Sequence, residues 1–133
     1  MAVTTVTLTA ATLIAAGTTV TAGTPQRATR EMIGKHGGLI TAKITNGGTG
    51  PTAQAVVTVY ISHAATLPSA GGEGADWKTF AVMGGGGTAA SAITPMSLVI
   101  PPCRHVQVEI AGNTAQSVTG EAFITDYTNL DTV

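Results

Sequence analysis

Charge is scarce in this chain. Only 10% of its 133 residues are Asp, Glu, Lys or Arg, six basic against seven acidic, where soluble domains usually carry about 25%. Six cations neutralise few phosphates, which excludes a basic nucleic-acid-binding surface. The net charge of −1 and the 44% apolar content exclude disorder driven by charge. Glu, Lys and Leu are too few for a coiled coil. No stretch reaches the ~18 apolar residues of a membrane-spanning helix, so no membrane partner is expected. Aromatics make up only 4%. The core must therefore be built from many small side chains, each stabilising modestly at roughly 25 cal/mol per Å² of buried apolar area. Such a fold is expected to lean on partner subunits.

Cysteine is nearly absent. Cys103 stands alone and cannot close an intramolecular disulfide. Beside Pro101 and Pro102 it reads as a small apolar residue, in a chain made in a reducing compartment. The N-terminus lacks the basic start of a secretory leader, since its first positive charge is Arg27. Thr4, Thr5, Thr7, Thr9 and Thr12 interrupt its apolar stretch around Leu13-Ile14-Ala15-Ala16.

What is present is threonine (24), alanine (21) and glycine (17), arranged in alternation rather than at helical spacing. Residues 3–9 read as a threonine-rich strand. Residues 12–22 continue it, with Gly17 as a break or bulge. Residues 23–37 hold Arg27, Arg30, Glu31 and Lys35, and read as a short helix or an ordered loop. In residues 39–45, Ile40, Ala42 and Ile44 alternate with Thr41, Lys43 and Thr45. The stretch Asn46-Gly47-Gly48-Thr49-Gly50-Pro51 is the strongest turn. In residues 55–62, Val57, Val59 and Ile61 face a core, and Val56 and Tyr60 a second apolar surface. Residues 63–76 form a long loop, of the kind that is functional or covered by a partner. Strands follow at 77–83, 96–100, 104–110 and 116–125, with Gly84 to Gly87 a flexible connection. The polar tail from Asp126 reads as surface-bound or free.

Seven to nine strands with turns at intervals of roughly ten residues predict an all-β fold, an antiparallel β-sandwich or jelly roll. Residues 1–30 are expected to form Thr-rich strands or an extended contact arm, and residues 31–133 the sandwich domain.

Chemical motifs fail one by one. Gly34-Lys35 resembles the end of a phosphate-binding loop, but residue 29 is Thr and residue 36 is His. Gly84, Gly86 and Ala89 match a dinucleotide spacing, yet Pro95 prevents a long helix from following. His36, His63, His105 and Cys103 show no i, i+4 spacing and no CxxC, so the histidines read as ordinary surface residues rather than metal ligands. Ser62, His63 and Asp76 supply the residue types of a hydrolytic triad without its G-x-S-x-G elbow. No catalytic, cofactor-binding or metal-ligating residue is therefore assigned, no cofactor is expected, and the chain is expected not to be an enzyme. A secreted carbohydrate-binding module would need exposed Trp77, Tyr60 or Tyr127, with Asp76 beside Trp77. Trp77, the one tryptophan, reads instead as a core anchor.

Three segments carry a family resemblance. They are Gly37-Gly38-Leu39-Ile40-Thr41-Ala42-Lys43-Ile44-Thr45-Asn46-Gly47 with Gly50-Pro51-Thr52; Val57-Thr58-Val59-Tyr60-Ile61-Ser62 leading to Trp77; and Ile100-Pro101-Pro102-Cys103-Arg104-His105-Val106-Gln107-Val108 with Ala111-Gly112-Asn113-Thr114. Together, over residues 37–125, they resemble small β-sandwich structural proteins of tailed bacteriophages. The resemblance implies a virion component made in the host cytoplasm, first of all a capsid decoration (cement) protein. Such a protein oligomerises, as a trimer or dimer, and stabilises contacts between major capsid protein subunits. A tail or receptor-binding component of the same kind of virion is the alternative. The resemblance carries no catalytic residue.

Overall fold

The alternating pattern folds into eight β-strands in the computed structural model, which describes residues 4–132 and contains no helix among them. They are β1 (Thr4–Val20), β2 (Gln26–Glu31), β3 (Gly38–Asn46), β4 (Val56–Ser62), β5 (Lys78–Gly85), β6 (Ile93–Ile100), β7 (His105–Ala111) and β8 (Val118–Thr132). A first sheet runs β1-β8-β3-β6 and a second runs β2-β7-β4-β5. All pairings are antiparallel. Four of them join β1 to β8, β2 to β7, β3 to β6 and β4 to β5. A long antiparallel ribbon rolled onto itself has this order, and the sandwich is therefore a jelly roll.

The period-two rule of strands places the core between the sheets. Ile40, Ala42 and Ile44 of β3 and Val118, Ala122 and Ile124 of β8 face Val57 and Val59 of β4 and Val106, Val108 and Ile110 of β7. Gly120 belongs to this layer: a Cβ there would lie 2.6 Å from Ile110 Cδ1. Gly17 has φ +77° and sits where the β1–β8 register shifts between Ile14 and Thr18. It is the expected bulge, held by the Thr18 hydroxyl, which donates to the Ala15 carbonyl at 2.6 Å.

Three expectations change. The segment 23–37 is neither helix nor loop throughout, because β2 occupies Gln26–Glu31. Its charges alternate between faces: Arg30 lies in register with Val106 and Arg27 with Glu109. β6 begins at Ile93, ahead of the expected residue 96, and Pro95 lies inside it. An edge strand tolerates the missing N–H. The tail is not free at Asp126, since β8 continues to Thr132 against β1. The described part of residues 1–30 supplies β1 and most of β2, an edge strand of each sheet. Beyond Gly38, which pairs with Asp126, β3 ends, and β1 and β8 run on as a two-stranded ribbon.

Candidate functional site

The two outer faces of the sandwich differ, and that difference defines the candidate site. The outer side of β7 presents His105, Gln107 and Glu109, all buried. Residues 63–77 lie over them. The Gln107 side chain accepts from the Gly71 N–H at 3.0 Å and donates to the Gly71 carbonyl at 2.6 Å. His105 Nε2 lies 2.9 Å from the Ala64 carbonyl, which can only accept, so Nε2 carries the proton. Trp77 donates its indole N–H to the Ser69 carbonyl at 2.8 Å and is 2% exposed. The long loop thus covers a face of its own chain and makes a second, smaller core around Trp77 and Tyr60.

A polar chain closes that core. Tyr60 donates to Glu109 Oε1 at 3.0 Å, and Arg27 Nε donates to Glu109 Oε2 at 2.6 Å. Burial raises the Tyr60 pKa, and accepted hydrogen bonding and charge from Glu109 raise it further. Cys103 is half-buried, and burial pushes its thiol pKa up as well, away from the reactive thiolate.

The outer face of the first sheet is bare. Its rows read Leu39, Thr125 and Val99; Thr41, Phe123 and Ser97; Lys43, Glu121 and Pro95. Lys43 and Glu121 are the charged pair of these rows, and they neutralise each other at 2.7 Å. Thr41, Lys43, Pro95, Ser97, Glu121 and Phe123 border a shallow open depression of about 450 Å³. Val99 and Ile93 of β6 are 65% and 63% exposed, and Leu8 of β1 is 63% exposed.

The residues weighed for chemistry do not converge. Ser62 is buried while His63 and Asp76 are exposed. The Ser62 hydroxyl accepts from the Ala64 N–H at 3.2 Å rather than from a histidine. Ser62, His105 and Glu31 do share one cross-strand row, but the His105 proton goes to Ala64. His105, expected at the surface, is fully buried because the loop covers it. An open cleft of about 570 Å³ borders His63, Cys103, Lys35 and Arg104 at one end of the sandwich. Among the described residues no three His, Cys, Asp or Glu side chains gather as a metal site would require. Trp77 and Tyr60 are buried, so neither is the exposed aromatic platform a sugar site would use. The alternating polar residues of β7 were legible in the sequence. That a loop covers them was not.

No protein-family model and no curated protein matches the sequence. Among solved structures, a chain of the infectious bursal disease virus Gx strain aligns over 95% of this chain and 31% of its own, at 16% identity and a TM-score of 0.43. One of the carbohydrate-binding modules from the beta-sandwich super family aligns over 99% of this chain and 56% of its own, at 14% identity and a TM-score of 0.41. The VP2 subviral particle of infectious bursal disease virus gives 95% and 31%, at 14% identity and a TM-score of 0.39. This chain spans about a third of the viral chains and just over half of the module. These are distant likenesses of an all-β sandwich.

Proposed function

We propose that this chain is a non-enzymatic structural protein of a virion, a capsid decoration (cement) protein that oligomerises and stabilises contacts between major capsid subunits. One observation carries the reading: the outer face of the first sheet is open, and its central charges, Lys43 and Glu121, cancel each other. Burying such a face against a neighbour desolvates little unpaired charge, the costly part of forming an interface. On the opposite face residues 63–77 already cover β7, so the bare first sheet is the face offered to a partner. The resemblance of residues 37–125 to small tailed-bacteriophage sandwich proteins supports the same reading.

Copy number tests it. Particles purified from the host that produces this chain are dissolved, and the chain is quantified against the major capsid protein by gel densitometry. Hundreds of copies per particle are expected of a decoration protein. A few dozen or fewer would move the chain to the tail, and absence from the particles would end the proposal.

A further inference from the structure

The four strand edges of the sandwich are not alike. β6 is 8 residues long and contains Pro95. β5 opens on Lys78 and closes on Gly84 and Gly85. β2 carries Arg27, Arg30 and Glu31 within six residues. Each of these devices discourages another strand from adding to the sheet. β1 has none of them from Thr4 to Thr12, ahead of its bulges. Its 17 residues include neither a charge nor a proline, and its outer edge pairs with no strand among the described residues. At ~3.3 Å per residue the regular run Thr4–Thr12 offers an edge roughly 30 Å long.

The outer half of β1 lacks support as well. Thr4, Thr5, Val6 and Thr7 pair with Thr132, Asp131, Leu130 and Asn129, where β3 no longer runs alongside. A two-stranded ribbon is marginal in water, and three or more strands are needed for independent stability. Val6 and Leu8 on this ribbon are 49% and 63% exposed. The register shift between Thr7 and Leu8 comes from the extra residue Thr128 on β8, so β1 itself is regular up to Thr12.

From these edges, and resting on the assembly reading above, we infer that β1 pairs antiparallel with β1 of a second copy about a twofold axis at Leu8. The two four-stranded first sheets then join into one of eight. Leu8 meets Leu8 of the other copy, Thr7 meets Thr9, and Val6 meets Ala10. Charge selects this occupant. In a pairing of identical strands, a charge near the axis meets its own copy and repels it, so a neutral strand suits self-pairing. An opposite strand of different sequence imposes no such neutrality. The pairing also supplies each ribbon with the third and fourth strands it lacks.

The test is sedimentation velocity over a dilution series of the wild-type chain, Leu8→Lys, Leu8→Glu, and an equimolar mixture of the two variants. The wild type is expected to form a concentration-dependent species of twice the monomer mass. Each variant alone is expected to dissociate at least tenfold more readily, with an unchanged circular dichroism spectrum, and the mixture to re-associate. A wild type that stays monomeric, or a Leu8→Lys chain that associates as before, or a mixture that does not re-associate, would overturn the pairing. Particle binding is scored separately. A monomeric wild type that still binds capsids overturns the β1 pairing alone, whereas a dimer absent from particles overturns the virion reading.

Discussion

Arg30 of β2 reaches between the two sheets to Asp126 of β8. Its Nε donates to Asp126 Oδ2 at 2.9 Å, and its Nη2 donates to the same oxygen. Lys35 stands 3.6 Å from that oxygen. The Asp126 side chain is fully buried while that of Arg30 keeps 26% exposure. One carboxylate thus ties the second strand to the last and holds the base of the β1–β8 ribbon against the opposite sheet.

Removing the arginine should therefore hurt more than an ordinary surface pair. Arg30→Ala leaves a buried carboxylate with only Lys35 nearby, and breaking such a pair costs about 3 kcal/mol. Arg30→Met combined with Asp126→Leu should recover most of that loss, because it removes both charges together. Urea denaturation of the three chains checks both statements. An Arg30→Ala midpoint equal to wild type would show that the pair contributes nothing.

The cover over the second sheet should open when its central clasp is removed. Gln107→Ala strips the two hydrogen bonds to Gly71. Faster proteolysis within residues 63–76 and a red-shifted Trp77 emission are expected, with the sandwich still folded by circular dichroism. Trp77→Ala should cost about 3–5 kcal/mol, as large aromatic truncations in a core do.

Alkaline pH should weaken the fold through Tyr60. Its pKa is raised above 10.0 in the folded chain, by burial first and Glu109 second. The folded state then holds this proton where the unfolded state has released it. Stability from this group is complete below pH 10 and falls as pH rises beyond it. Tyr60→Phe should show a flatter loss of thermal stability above pH 10 than the wild type. Parallel melting curves for the two chains at increasing pH would contradict the assignment.

The alternation of β3, β4 and β7 was legible because each strand carries aliphatic residues at every second position and faces one core. Gly17 announced its bulge for the same local reason. β2 was not legible. Its six residues include three charges, and it is a strand because β7 offers it an edge and Asp126, 96 residues away, receives Arg30. The reading of the tail from Asp126 as surface-bound or free missed its pairing with β1, where Thr9 and Thr128 meet from 119 residues apart in sequence. The cover over His105, Gln107 and Trp77 was equally hidden, since composition says that a loop is long without saying which face it crosses. The bareness of the first sheet was hidden with it, because it depends on the loop crossing β7 instead.

The opening scarcity of charge gains a location from this. Charges concentrate in inter-strand pairs, Arg27 with Glu109, Arg30 with Asp126 and Lys43 with Glu121, while β1 and β6 have none. The proposed capsid role requires the first sheet's outer face to seat on a shell. The direct measurement is cosedimentation of the purified chain with undecorated capsids of the proposed virion, comparing wild type with Thr41→Arg and Ser97→Arg. Saturable binding of hundreds of wild-type copies, lost in both folded variants, is the predicted result. Equal binding by the variants, or no binding by the wild type, would contradict it.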